Sequence, residues 1–466
     1  MTQRTPPRGM RTFFIIWFGQ LISLLGSNLS GFALGVWLYQ ETGSVTLLAL
    51  NNLCFVLPQM LFSPLAGALV DRWDRRRAML LSDLGAGLST LFLALMLFTG
   101  RLEVWHVYLA TAVNALFNTF QWPAYSAATT LLVPQEHLGR AGGMVQIGQA
   151  ISQLIAPALA GALLVTAGLK NVLLIDLVTL VFAVSTLLTV RIPRPAASAE
   201  GAAGKGSLWQ ETVFGWKYIV ARPGLLGLLL FFAAANFLGG MTFPLLTPMI
   251  LAISTADVLG FAASVASVGM LVGTLVMSAW GGPRRRVLGV LGFELLAGVF
   301  TIALGLRPSI PLIVAAGLGI MFCMPIINAC SQALWQSKVE PDLQGRVFSV
   351  RRMIAMAASP LAYVAVGPLA DKVFEPLMAV DGPLAGNVGR VIGTGTGRGA
   401  GLMFIVMGAL SVGVAVVAYL NPRIRLVDSE LPDVVVKVAE PVDHAAGDPP
   451  AGEIADELGP VSVPAV

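Results

Sequence analysis

Long apolar runs separated by short polar breaks fill the chain from one end to the other. Twelve of them, at 13–38, 45–69, 78–99, 105–132, 141–168, 172–190, 224–250, 258–280, 287–306, 310–336, 347–370 and 399–420, are each long enough to cross a bilayer. An apolar core of about 30 Å needs roughly 20 helical residues. The runs lack the alternation of barrel strands, and a backbone facing lipid must satisfy its own hydrogen bonds, so helices are predicted. The pattern gives an all-α integral membrane protein with twelve transmembrane helices in two six-helix halves.

The breaks organise the halves. Residues 1–12 precede the first run, which is too long for the apolar segment of a signal peptide and is expected to stay as an uncleaved span. Runs one to six occupy 13–190 and runs seven to twelve occupy 224–420. The longest break between them, 191–223, begins Arg191-Ile-Pro193-Arg194-Pro195 and continues through small residues, the composition of a linker. Within it Trp209, Val213, Trp216 and Val220 share one face of a helix expected to lie in the membrane interface. Residues 421–466 form a tail. From Val427 onward it holds nine acids and one lysine, and is expected to be disordered and solvated.

The halves resemble each other. Leu138-Gly139-Arg140 corresponds to Gln344-Gly345-Arg346, with Gly161 falling on Gly367 and Leu163 on Leu369 at the same offset. The basic triplet Arg75-Arg76-Arg77 has a partner in Arg284-Arg285-Arg286. Duplication of this kind is a mark of secondary transporters.

Composition and charge narrow the reading further. The chain is 56% hydrophobic and 12% charged, against about 25% charged in a soluble domain. Of its 29 lysines and arginines, 23 fall on the side holding both termini and 6 on the other, which predicts cytoplasmic termini. The net charge of +4 is not a nucleic-acid signal. Cys54, Cys323 and Cys330 all lie inside apolar runs, and His106, His137 and His444 are far apart, so neither a disulfide framework nor a metal site is expected, and no cofactor. The segment Gly393-Thr-Gly395-Thr-Gly397-Arg398-Gly399 lacks the preceding strand and the Gly-Lys-Ser/Thr of a phosphate cradle, and is expected to be a flexible outer loop.

Polar residues inside the runs are the candidates for function. Asp83, Asp176 and Glu294 are the acids, and an intramembrane acid is a functional candidate by default. Asp83 and Glu294 are the candidates for proton coupling. Each has a structural alternative, which for Glu294 is an ion pair with Arg351 or Arg352. Asn28, Asn118, Gln121, Tyr125, Gln146, Gln149, Gln153, Asn236, Asn328 and Gln332 accumulate in runs one, four, five, seven and ten, with Gln146, Gln149 and Gln153 on one stripe. Trp37, Phe117, Trp122 and Phe243 lie near them in sequence. They are candidates for a substrate cavity, or for hydrogen bonds that join helices.

Between runs two and three stands Gly67-Ala-Leu-Val-Asp71-Arg72-Trp-Asp74-Arg75-Arg76-Arg77. It resembles the Gly-x-x-x-Asp-Arg-x-Gly-Arg-Arg/Lys loop of the major facilitator superfamily, with Asp74 where that family has glycine. The resemblance covers residues 12–422 and places runs one, four, seven and ten at the centre, with five and eleven beside them. It implies a latch in which Gly67, Asp71, Arg72, Arg75 and Arg76 meet Gly345 and Arg346; the alternative is a solvated stop-transfer turn. In run five, Gly143, Ser152, Ala156, Pro157, Ala160 and Gly161 resemble the Gly-x8-Gly-x3-Gly-Pro-x2-Gly-Gly pattern of the antiporters, with three glycines replaced by Ser or Ala. Tyr39-Gln-Glu41-Thr-Gly43-Ser44, Leu343-Gln-Gly345-Arg346-Val-Phe348-Ser349 and Gly367-Pro368-Leu369-Ala-Asp371 are similar to the macrolide-efflux and siderophore-exporter branch. The resemblance implies a monomeric transporter rather than an enzyme. Its partners would be a hydrophobic or amphipathic small molecule, protons and the lipid bilayer. Nutrient uptake and lipid handling remain the alternatives.

Overall fold

Twelve long helices account for most of the described residues. In chain order they are α1 (Met10–Thr42), α2 (Val45–Arg72), α3 (Arg75–Phe98), α4 (Val104–Leu132), α5 (Leu138–Thr166), α6 (Gly168–Thr189), α7 (Pro223–Leu251), α8 (Ala256–Trp280), α9 (Arg286–Leu306), α10 (Ile310–Lys338), α11 (Gln344–Leu369) and α12 (Arg398–Leu420). The computed structural model describes residues 10–134, 137–190, 192, 214, 216–339 and 343–430. The side chains of Pro64, Gly67, Ala68, Asp71, Arg72, Gly139, Gln344, Gly345, Arg346, Ser349 and Met356 lie outside it. Most of the expected interfacial helix, including Trp209 and Val213, and the tail from residue 431 are likewise outside the described residues.

The helices are inside-out by the standards of a soluble protein. On α3, Leu81, Leu84, Leu88, Leu91 and Leu95 form an exposed stripe, while Ser82, Asp83, Ser89 and Thr90 are buried. Leucines facing outward suit a hydrocarbon solvent, and the small and polar residues inside let helices approach and hydrogen-bond. Eleven helices carry a stretch apolar enough to span a membrane. The remaining one, α4, has 29 residues but is interrupted by Asn114, Asn118 and Gln121. It packs against α2 and α3, and those neighbours make the polar content tolerable.

Helix ends follow capping chemistry. Ser44 Oγ accepts from the Leu47 amide at the start of α2. Asp74 Oδ1 accepts from the Arg77 amide at 3.1 Å, so the aspartate in the place of the family's glycine caps α3. Gly281, with φ of +74°, closes α8 in a left-handed conformation that favours glycine. The corresponding cap of α9 comes from far away: the Val287 amide donates to Asp428 Oδ2 at 3.0 Å. Helical turns Pro422–Arg425 and Val427–Glu430 bring Asp428 there, with Ile424 and Val427 buried in the core of the second half. The expectation that the tail is solvated from Val427 is therefore corrected for 427–430. The aliphatic side chain of Val427 has a core to enter, and Asp428 has a bare helix N-terminus to cap.

Helices α1–α6 form one bundle and α7–α12 the other. They meet where α2 packs on α11 and α5 on α8. An apolar cluster joins Val36, Val45 and Ala49 of the first bundle to Leu245, Met249, Ala362 and Val366 of the second. The segment between α11 and α12 is folded back on the second bundle. Met378 and Ile392 are buried, Gly395 N donates to the Met378 carbonyl, and Gly397 N donates to Glu375 Oε1. Arg398, counted by sequence among the outer-loop cations, is buried and donates to the Gly305 carbonyl at 2.7 Å.

Candidate functional site

Among the described residues each bundle contains a cavity. The larger, about 540 Å³, is walled by residues of α7 to α12, mostly apolar, with Asn236, Thr301, Asn328, Ser359 and Ser411 among its polar groups. Glu294 on α9 and Arg351 on α11 are the charged residues on its wall. Glu294 is 8% exposed and accepts no hydrogen bond among the described residues. The Arg351 guanidinium donates to Ser331 Oγ at 2.8 Å and to Gln332 Oε1 at 3.2 Å, and lies 5.1 Å from the Trp335 ring centre. The expected ion pair of Glu294 with Arg351 is thus absent among the described residues, and Arg352 is exposed. Two oxygens of α10 and an aromatic face already satisfy the planar cation.

The smaller cavity, about 80 Å³, lies in the first bundle between α1, α3, α4 and α6, and both Asp83 and Asp176 line it. Asp83 accepts from Gln20 Nε2 at 3.0 Å and Gln121 Nε2 at 2.9 Å. Asp176 accepts from Thr90 Oγ1 at 3.0 Å and Ser27 Oγ at 3.4 Å. Each carboxylate therefore joins helices that are distant in sequence.

The polar candidates consequently do not form one surface. Asn236 and Asn328 face the larger cavity, and Asn118 and Gln121 the smaller. Asn28 Nδ2 donates to Ser152 Oγ at 2.8 Å, joining α1 to α5, and Gln332 is engaged by Arg351. Tyr125 is buried, while Gln146, Gln149 and Gln153 line neither cavity. The sequence reading missed Gln20, Ser27 and Thr90, which are single polar residues whose importance comes from the acids they meet.

The small residues of α5 pack it on both sides. Ser152 is fully buried against α1, and Ala156 and Ala160 lie in the core of the first bundle. A Cβ on Gly161 would stand 2.4 Å from the Ala256 carbonyl oxygen, and one on Gly260 of α8 2.1 Å from that of Pro157. Gly143 meets nothing within 4 Å. The duplicate of Gly161, Gly367 of α11, makes the corresponding approach in the other direction: its Cβ would stand 2.3 Å from Thr46 Cα.

Beside Gly367, Asp371 binds the start of α2. Its Oδ2 accepts from Ser44 Oγ and Thr46 Oγ1 at 2.7 Å and from Thr46 N at 2.9 Å, and its Oδ1 from Val45 N at 3.0 Å. An anion at a helix N-terminus satisfies amides that have no partner inside the helix and meets the positive end of its dipole. This clasp and the glycine approaches lie in the half of the molecule away from the chain termini. Sequence carried a further signal for Asp371: Gly367 to Asp371 repeats the Gly-x-x-x-Asp spacing of Gly67 to Asp71.

At the basic end, Arg76 Nε and Nη2 donate to the Leu187 and Leu188 carbonyls at 2.8 and 2.6 Å, closing the last turn of α6. Arg75 Nη1 reaches the Trp73 carbonyl. Asp71 and Arg72 end α2, and Gly345 and Arg346 begin α11. The side-chain contacts of the expected latch lie outside the described residues.

Comparison with known proteins agrees with this architecture. The sequence profile of the Major Facilitator Superfamily matches residues 16–363. Macrolide efflux protein A of Streptococcus pyogenes is 30% identical over 375 residues, covering 78% of this chain and 90% of that protein. Multidrug efflux pump Tap of Mycolicibacterium fortuitum is 24% identical, covering 77% and 88%. Among solved structures, a bacterial homologue of the human lysosomal transporter Spinster, inward-facing and unoccupied, superposes with a TM-score of 0.67 at 16% identity, over 91% of this chain and 99% of that one. A matched profile over most of the chain, relatives aligned nearly end to end and two joined six-helix bundles lead to one assignment: the chain belongs to the major facilitator superfamily, a family of membrane transporters.

Proposed function

We propose that this protein is a proton-coupled exporter of hydrophobic or amphipathic small molecules, such as a drug, macrolide, siderophore or other natural product. It works as a monomer in a bacterial inner membrane, with both termini in the cytoplasm. The cavity of about 540 Å³ supports this reading most directly, because it has the size and the largely apolar wall of a small-molecule pocket. The efflux names of the relatives and the small-residue pattern of α5 favour export over uptake.

Transport proceeds by alternating access. With Asp371 on the start of α2 and the glycines of α5, α8 and α11 in close contact, the end away from the termini is shut. In the opposite state this contact opens, and Asp71, with Gly67, Arg72, Arg75 and Arg76 around it, latches on Gly345 and Arg346 at the start of α11. Protonation of Asp83 and Glu294, one buried acid in each bundle, biases the exchange between states.

Inverted membrane vesicles energised with a pH gradient test the proposal. Wild-type vesicles accumulate a macrolide or another amphipathic compound, and a protonophore abolishes the accumulation. Depletion of the compound from preloaded vesicles means uptake, and its chemical conversion means an enzyme; either result rejects the export reading.

A further inference from the structure

Asp176 is a buried acid to which the transport cycle above gives no task. It lines the same cavity of about 80 Å³ as Asp83, and among the described residues no lysine, arginine or histidine does so. Asp83 is 7% exposed and Asp176 5%, and the side chains that donate to them are neutral amides and hydroxyls. Two carboxylates sharing one buried space are costly to keep charged together, so the pair calls for one positive charge. The acids also stand at mirrored depths. Asp83 is eight residues past Arg75, the start of α3 at the end holding the termini, and Asp176 eight past Gly168, the start of α6 at the other end. At 1.5 Å per residue each lies about 12 Å in from its own end.

The cavity between them suits water. Ser23 lines it and is 8% exposed, and its hydroxyl has no hydrogen-bond partner among the described residues. Gln121 Oε1, a buried oxygen of another wall residue, has none either. A polar space of this size takes about two or three waters at roughly 30 Å³ each. Along such waters a proton passes from one carboxyl to the other, one O–H bond breaking as the next forms. We infer that Asp83 and Asp176 hold one proton between them across this cavity, so that Asp176, toward the outer face, takes up the coupling proton and Asp83, toward the cytoplasm, releases it. The inference rests on the export reading and adds to it Asp176 and a route for the proton. No residue lines both this cavity and the larger one, so this route and the substrate occupy different bundles.

Dicyclohexylcarbodiimide modifies protonated carboxyls, so it reads each acid separately. The full-length protein in lipid nanodiscs is labelled across a range of pH, and modification of Asp83 and Asp176 is followed by peptide mass. Asp176→Asn keeps the shape and loses the charge, and the hydroxyls of Ser27 and Thr90 can accept from the new amide as well as donate. The pH at which Asp83 is half-modified should fall by about one unit or more in Asp176→Asn, because a like charge is gone. Asp83→Asn should lower that of Asp176 by the same amount, since the coupling of two sites is reciprocal; damage to packing produces no such matched pair. In inverted vesicles Asp176→Asn should lose accumulation driven by a pH gradient while downhill exchange of a neutral compound continues. An unchanged labelling profile, a shift in one variant alone, or uphill export by Asp176→Asn overturns the inference. Labelling of wild type that falls when sodium replaces choline also overturns it, by giving the positive charge to a metal ion. Labelling does not depend on transport, so uncoupled acids reject this inference alone. Wild-type vesicles that accumulate nothing reject the export reading beneath it.

Discussion

Asp371, two residues past the end of α11 in the second bundle, holds Thr46, in the first turn of α2 in the first bundle, by both its backbone amide and its hydroxyl, at 2.9 and 2.7 Å. The two residues are 325 positions apart in sequence. One carboxylate thus caps a helix of the opposite half, and it can do so only while that end of the molecule is shut.

Replacing Asp371 with Asn removes the charge and keeps the shape. An anion at a helix N-terminus contributes about 0.3–2 kcal/mol, enough to shift a two-state equilibrium by about twofold to about thirtyfold. Spin labels at Glu41 and Lys372, both exposed and beside the clasp, should show a larger population at long separation in Asp371→Asn. If Asp71 latches the other end, Asp71→Asn should move the same distribution toward short separation. Two variants that shift it in the same direction would refute reciprocal latching.

Close approach of the halves requires glycine at particular points. A Cβ at Gly161 would stand 2.4 Å from a backbone oxygen of α8, whereas one at Gly143 would meet nothing. Gly161→Ala and Gly367→Ala should therefore reduce transport at least several-fold at normal expression, because each bundle keeps its own core. Gly143→Ala on the same helix should transport like wild type. Equal losses at Gly143 and Gly161 would show that the small residues of α5 do not act through packing on α8.

Energy coupling needs a group that takes up and releases a proton between states. Asp83→Asn and Glu294→Gln should each abolish export driven by a pH gradient while downhill exchange of a neutral substrate continues. The two are expected to differ in stability. Asp83 accepts from Gln20 and Gln121, and an Asn amide would set a donor against one of those donors; Glu294 has no such partners among the described residues. Uphill export persisting in both variants would place the proton elsewhere.

The short helix after α12 should matter to stability and the residues beyond it should not. Asp428→Ala removes the cap of α9, a change that costs about 0.5–2 kcal/mol at a helix N-terminus. The thermal midpoint in detergent should fall, while truncation after Glu430 leaves both midpoint and transport unchanged. A truncated protein with lost transport and intact expression would make the acidic tail a working part.

Sequence alone determined the solvent, the number of long helices, their division into halves and the family. A helix facing lipid must be apolar over about 20 consecutive residues, and that requirement is a sum along the chain. The repeated glycines and basic triplets were legible for the same reason, since the glycines recur at an offset of 206 residues and the triplets at 209. Which polar residues meet was decided only by the tertiary structure. Asn28 was a cavity candidate by position and is a tie to Ser152; Glu294 was a candidate for an ion pair and has no ion-pair partner among the described residues; Asp371 was part of a resemblance and joins the two halves. Hydropathy records how many polar groups a span can carry, but not which distant helix supplies their partners. Those partners lie 38 to 327 residues away for Asp83 and Asp371, and only the packing of the bundles brings them within hydrogen-bonding distance.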